Sequence, residues 1–445
     1  MVMENFLAQT FGKSQMHTDI ANRLYKEYDV KKGLRNEDGT GVRIGLTKIS
    51  DVVGYEFVDG VKNNIPGLLY YRGYNVLDIV RAKTDEANGF EEVVFLLLFG
   101  YLPAKGEFEE FLKVIRAMYE LPDDFLEINL LRMPGKNLMN TLQHAVLSLY
   151  NYDRDPDNVE VFSTLIKGLS ISSKLPAIMC YAYQSKMHYF NRDSLVIHYS
   201  NKEFSTAQNI LHLLRPNKKF SEKEASLLDT ILLLQADHGG GNNSTFTNVV
   251  VSSTGTDIYS SVSASIGSLK GPRHGGANIR VAQMMDAVIE AIGYSSDDLK
   301  IRALVEKILD KDFFDKTGLV YGFGHAVYTL SDPRAELLRE YCRAVAEEKD
   351  KIREYEFYVR FERIVKEVIF ERKGNDISTN VDFYSGFAYE LMDIPRDLFT
   401  PLFVCARCAG WLAHNIENKL YDGRIMRPAT KYVGSLKEYM LMKDR

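Results

Sequence analysis

The sequence predicts an all-α protein with a small β-hairpin near its N-terminus. Three observations carry this: apolar residues recur at intervals of three and four along most of the chain, alternating apolar-polar stretches are scarce, and a hairpin turn pair stands at Asp59-Gly60. In VVGYEFVDGVKNNIPGLLYYRGYNV (52–76), short β-branched and aromatic runs flank that pair. FEEVVFLLLFGYLPAKGEFEEFLKVIRAMYEL (90–121) reads as two helices broken at Leu102-Pro103. SEKEASLLDTILLLQ (221–235) opens with a capping box of Ser221 and Glu224. Residues 335–373 alternate charge with widely spaced apolar side chains, which predicts exposed helices on a smaller lobe rather than a deeply buried bundle. PLFVCARCAGWLAHNIENKL (401–420) reads as a helix with Arg407, Trp411 and His414 on one face.

A chain of 445 residues, 45% hydrophobic, has ample material for a core. Its 55 basic and 60 acidic side chains leave a net charge of −5, so no general field draws it to nucleic acid or to an anionic membrane. Any anionic ligand has to be met by local arginines. The four cysteines are too few for a disulfide framework and suit a reducing compartment. CARC (405–408) has CxxC spacing, but no second Cys or His pair accompanies it, so no metal site is expected. The N-terminus lacks the apolar core of a secretory signal, and no run approaches the roughly 20 apolar residues of a membrane helix. The expectation is a soluble, cytoplasmic protein with neither nucleic-acid nor membrane partners.

Four islands interrupt the helical pattern. GPRHGGAN (271–278) sets His274, with Arg273 beside it, between a helix-breaking Gly-Pro and a permissive Gly-Gly. QADHGGGNNSTF holds His238 at a helix end, where a C-cap with a dipole-favoured imidazole is an alternative explanation. YGFGHAVYTLSDPRA holds His325, followed by Asp332-Pro333-Arg334, an N-cap with proline in the first turn. VDFYSG holds Asp382 between Val381 and Phe383, ahead of a Ser-Gly turn. A carboxylate among apolar neighbours loses hydration and gains basicity, which suits a proton-abstracting base, although a hydrogen-bonded structural aspartate fits the same pattern. An imidazole at a helix N-terminus is pushed toward its neutral form and can donate to a developing enolate or carbonyl oxygen, a role that fits His274. Arg424 and Arg427 follow near the C-terminus, and three arginines with three histidines around one carboxylate suit a small dianionic substrate.

GPRHGGAN, GFGHAVY followed by DPRA, and VDFYSG, in this order and at these separations, resemble the citrate synthase family. The likeness continues through IPGLLYYRGYNV, FEEVVFLLLFGYLP, FTPLFVCARCAGWLAH and GRIMRPATKYVG, covering nearly all the chain beyond about residue 40. The resemblance implies condensation of acetyl-CoA with oxaloacetate and hydrolysis of citryl-CoA to citrate and CoA, an acyltransferase step of the tricarboxylic acid cycle. Asp382 is then the base that takes a methyl proton, His274 the donor to the thioester oxygen and His325 the group that polarises the ketone. His238, Arg334 and Arg407 hold oxaloacetate's carboxylates, joined by Arg427 from the partner subunit of a homodimer with shared sites. No cofactor or metal is called for, since acetyl-CoA is a substrate. Two departures stand out: Thr329 replaces a basic residue that many members use toward coenzyme A, and Arg273 replaces an aliphatic one and is the candidate CoA contact here. Propionyl-CoA as substrate, as in 2-methylcitrate synthase, and a catalytically silent paralogue that binds CoA esters are the alternatives. The implied organisation is a large domain of residues 1–275 and 393–445 and a small one of 276–392, with the site in the cleft.

Overall fold

The computed structural model describes residues 5–11, 19–83, 88–272, 274–421 and 423–444. The chain divides into two compact units, one made of residues 1–45 and 426–445 and the other of residues 46–425. In the first, the short helix Arg23–Glu27 and the turn Lys32–Leu34 lead to an antiparallel bridge between Arg35 and Gly41.

The second unit opens with a three-stranded antiparallel sheet, β1 (Ser50–Val58), β2 (Val61–Tyr71) and β3 (Tyr74–Asn75), in that order. Asp59 and Gly60 take φ of 52° and 79°, the left-handed angles of a tight hairpin whose twist matches its strands. Helices then run almost without interruption. Gly89–Phe99 and Lys105–Ala117 are separated at Pro103, as the sequence predicts. Glu222–Gln235 begins with the expected capping box: Glu224 N–H donates to Ser221 Oγ at 3.2 Å, and Ser221 N–H to the Glu224 carboxylate at 2.9 Å. Phe399–Tyr421 is buried from Phe399 to Ile416 and packs against Gly89–Phe99, Val161–Lys186, Glu222–Gln235 and Asn243–Ser252. It is the axis from which the functional elements hang.

Two expectations need correction. Helices Pro333–Glu348 and Ile352–Lys373 are not merely exposed, because each buries a full apolar stripe, Leu337, Leu338, Cys342 and Val345 in one and Phe357, Phe361, Ile364, Val365 and Val368 in the other. The charge alternation belongs to their outer faces, where Arg343–Glu347 and Arg363–Glu367 pair one turn apart. Nor is there a turn at Ser385-Gly386. Helix Val381–Leu391 runs through both, since it packs on Ala277–Ile292 and Pro333–Glu348 and this tertiary packing overrides local propensity. Among the described residues, no helix is long and apolar enough to cross a membrane, no group of three or more potential ligands gathers as a metal centre, and all four cysteines are free and buried.

Candidate active site

Breaks in the helical pattern and one helix interior deliver six of the predicted side chains. His238 lies just beyond helix Glu222–Gln235, in a turn where Gly239 adopts φ of 83°. His274 sits in the turn between Ile258–Leu269 and Ala277–Ile292, and His325 in the loop ahead of Pro333–Glu348. Arg334 is in the first turn of that helix, Asp382 is the second residue of Val381–Leu391, and Arg407 projects from the middle of Phe399–Tyr421.

At one end the rings of His238 and His325 meet edge to face, centroids 5.1 Å apart. Tyr328 stacks on His325 at 4.7 Å and meets His238 at 5.6 Å. His325 Nδ1 accepts the N–H groups of Val327 and Tyr328, both at 3.1 Å. That assigns the neutral ring's proton to Nε2, so Nε2 is the donor His325 can offer. Arg334 is clamped by its own helix cap: Asp332 takes Nε at 3.0 Å, Nη2 at 2.7 Å and the Arg334 N–H at 3.0 Å. Burial works against this guanidinium's charge, but Asp332 outweighs it and raises its pKa.

Arg407 is fully buried. Its Nε donates to Gln235 O at 2.7 Å, whereas Nη1 and Nη2 are buried without a hydrogen-bond partner among the described residues. Burial pushes its pKa down to about 10, opposed by Asp237 and Tyr71. Its guanidinium lies 4.7 Å from the centroid of the Phe403 ring, which also faces His274 at 6.5 Å. His238 Nε2 and Asp382 Oδ1 are likewise buried and unpartnered. His238 is driven well below its ordinary pKa by burial, then by Arg334, His325, Arg407 and His274, so its imidazole is neutral. Burial lifts Asp382 to about 7, with Asp332 adding and Arg334 and Arg407 opposing. For His274, burial and then Arg407 lower the pKa to about 4. Its neutrality is as expected, but the cause differs: the helix begins only at Ala277, and these two influences do the work.

Neutral imidazoles, a cation with unsatisfied donors and a carboxylate that titrates near neutrality form a site able to bind a small dianion and to move a proton. The chain is similar to known proteins over most of its length. The citrate synthase C-terminal domain profile covers residues 37–429. A citrate synthase of Haloferax volcanii is 34% identical over 91% of this chain and 96% of its own length. A 2-methylcitrate synthase of Shewanella oneidensis is 33% identical over 82% and 88%. Among solved structures, citrate synthase of Thermoplasma acidophilum in ternary complex with carboxymethyl coenzyme A and oxaloacetate superposes with a TM-score of 0.74 at 26% identity, over 94% of this chain and 99% of that one.

The chain belongs to the citrate synthase family. Members of this family are acyltransferases that form citrate. Six predicted site residues converge in the 46–425 unit; Arg427, exposed, belongs to the other unit, and Arg273 lies outside the described residues. Further residues hold this cluster in place. Ser244 Oγ is within 3.0 Å of His274 Nε2 and accepts Trp411 Nε1–H at 3.1 Å. Asp237 accepts Ser50 Oγ–H, Gly239 N–H at 3.0 Å and His414 Nε2 at 3.2 Å. Asp332 reads in the sequence as a cap alone, and only Trp411 and His414 carried a signal, their shared face with Arg407.

Proposed function

We propose that this chain condenses acetyl-CoA with oxaloacetate and hydrolyses the resulting citryl-CoA. The observation that carries the reading is the coincidence of unpartnered buried polar atoms on Arg407, His238 and Asp382 within one electrostatically coupled cluster. Arg334, Arg407 and His238 hold the dianion's carboxylates, with the partner subunit's Arg427 completing the grip in a homodimer of shared sites. Asp382 takes a proton as the methyl C–H bond breaks, and His274 donates to the thioester oxygen as the enol forms. The enol carbon bonds to the ketone carbon, whose oxygen takes a proton from His325 Nε2. Water then cleaves the thioester and releases the CoA thiol. Each proton transfer of this kind is worth about 10²- to 10⁴-fold, and the preorganised donors add a comparable factor.

Side chains suffice for this chemistry, so the proposal invokes no metal or cofactor. It carries with it a cytoplasmic setting and two lobes, residues 276–392 closing on the rest of the chain so that Asp382, His325 and Arg334 meet His238, His274 and Arg407 with water excluded. Arg273 is kept as a candidate contact for coenzyme A. Propionyl-CoA as acyl donor is the second reading, favoured by the Shewanella oneidensis relative. One methylene changes selectivity by only about 1–3 kcal/mol. Steady-state thiol release with oxaloacetate and either thioester decides. A higher kcat/KM with acetyl-CoA is expected; a higher value with propionyl-CoA makes the enzyme a 2-methylcitrate synthase, and no release with either leaves a silent paralogue.

A further inference from the structure

One face of the small sheet touches both turns that carry the paired imidazoles. Ser50 and Tyr71 are cross-strand partners, so their side chains leave the same face side by side. Ser50 Oγ–H donates to Asp237 and accepts Gly239 N–H at 3.1 Å. The Tyr71 hydroxyl accepts Asp237 N–H at 3.3 Å and directs its proton among the carbonyls of Leu233, Leu234 and Asp237, at 3.1–3.3 Å. His238 is thus bracketed on both sides by residues tied to the sheet, and a Cβ on Gly239 would already stand 3.4 Å from Val52 of β1.

Four residues away along β2, roughly 13 Å at the usual strand rise, the same face meets the other imidazole's segment. Gly67 N–H donates to Ser331 Oγ at 3.3 Å, and Tyr328 O–H donates to Leu68 O at 3.2 Å. The approach is close enough that a side chain at Gly54 would strike Val327 O and one at Gly67 would strike Ser331 O. Val327 is one of the two residues whose N–H groups hold His325 Nδ1, and Ser331 leads into Arg334.

We propose that this sheet face is a positioning platform: Ser50 and Tyr71 set His238, while Gly54, Gly67 and Leu68 seat the segment of His325 and Arg334, and the two imidazoles are registered against each other through it. The inference rests on the reading of His238 and His325 as oxaloacetate ligands. Ser50 and Tyr71 are positioning residues, since they touch no reacting atom.

The test is calorimetric binding of oxaloacetate to the full-length protein and to Ser50→Ala, Ser50→Thr and Tyr71→Phe, alongside amide hydrogen exchange at Asp237 and Gly239. Losing one hydrogen bond to the turn should weaken binding roughly five- to tenfold in Ser50→Ala and in Tyr71→Phe. Ser50→Thr, which keeps the hydroxyl, should restore affinity to within about twofold, and KM for acetyl-CoA should stay near its wild-type value. Exchange at Gly239 should speed up in Ser50→Ala. Wild-type affinity in both Ser50→Ala and Tyr71→Phe overturns the platform, even if their thermal stability falls; so does unchanged exchange at Gly239. If Tyr71→Phe fails to fold, the Ser50 pair decides alone. A wild-type protein that binds no oxaloacetate sinks the ligand assignment instead, and the platform then stands or falls on exchange at Gly239.

Discussion

Asp237 and Asp382 both surround Arg407, both are buried at the carboxylate, and burial moves both in the same direction, yet they end on opposite sides of the ordinary value. Asp237 Oδ2 collects the His414 imidazole, the Ser50 hydroxyl and the Gly239 N–H, and His414 first, then Arg407 and the hydroxyl, hold it below the usual carboxylate range despite its burial. The Oδ1 of each is buried without a hydrogen-bond partner, so the donors gather on Asp237 Oδ2; Asp382 receives none of them and titrates at about 7. Desolvation alone therefore does not decide whether an aspartate here is a fixed charge or a base. The charges and hydrogen-bond donors that face it decide it.

The largest expected effect follows from Asp382. Asp382→Asn should lower kcat/KM by about 10²- to 10⁴-fold, because no other carboxylate of the cluster can accept the proton. Stability should move the other way. The folded pKa is raised, so between about pH 4 and about 7 the folded chain keeps a proton the unfolded chain has lost, and wild-type stability falls as pH rises through that window. At pH 8 the variant should therefore unfold at a higher urea concentration than wild type, by up to about 4 kcal/mol on linkage alone, and the two should converge below about pH 4. An inactive variant that is also less stable at pH 8 breaks the comparison.

Asp237→Asn should show the mirror image. Its folded pKa is depressed, so its contribution is present above the unfolded value of about 4 and is lost as pH falls through the lower folded value. Removing this charge leaves Arg407 without its buried counter-charge, at a cost of about 3 kcal/mol at pH 7. Urea unfolding at pH 7 measures it, and a variant as stable as wild type would mean that the three donors to Asp237 stabilise nothing.

The contrast also explains what the sequence made legible. The helical class, the Asp59-Gly60 hairpin and the Ser221 capping box depend on local signals, and all three are readable from a few adjacent residues. Asp382 was visible for the same reason, since its apolar neighbours Val381 and Phe383 are adjacent in the chain. Asp237 was not, because its donors come from Ser50 and His414, 187 and 177 residues away. The Ser385-Gly386 turn failed because Asn380 caps a helix that packing carries through both residues.

A pH-rate profile gives the next, smaller effect. Asp382 must be ionised to accept a proton, so kcat/KM should fall as pH drops below about 7, approaching tenfold per pH unit. If activity holds level down to pH 5, Asp382 is ionised throughout, and some donor is doing for it what Ser50, Gly239 and His414 do for Asp237.

His274 has one ring nitrogen, Nε2, at hydrogen-bond distance from Ser244 Oγ. Ser244 has one hydroxyl proton, and Trp411 Nε1–H can only donate to it. That proton goes either to Asn242 Oδ1, 2.9 Å away, or to His274 Nε2 at 3.0 Å. In the first arrangement His274 must itself donate from Nε2, leaving Nδ1 bare. In the second, Nε2 accepts and Nδ1 carries the proton that a thioester oxygen needs. Turning one hydroxyl thus switches His274 from acceptor to donor at the nitrogen left for substrate. Ser244→Ala removes the acceptor of Trp411 and the partner of Nε2 together, so the hydroxyl no longer selects which ring nitrogen carries the proton. The expected result is about a tenfold lower kcat, the size of one hydrogen bond, with KM for oxaloacetate unchanged because His238, Arg334 and Arg407 are untouched. An equal loss in KM for oxaloacetate would mean that Ser244 shapes the binding end of the site, and an unchanged kcat would mean that the tautomer of His274 is set without it.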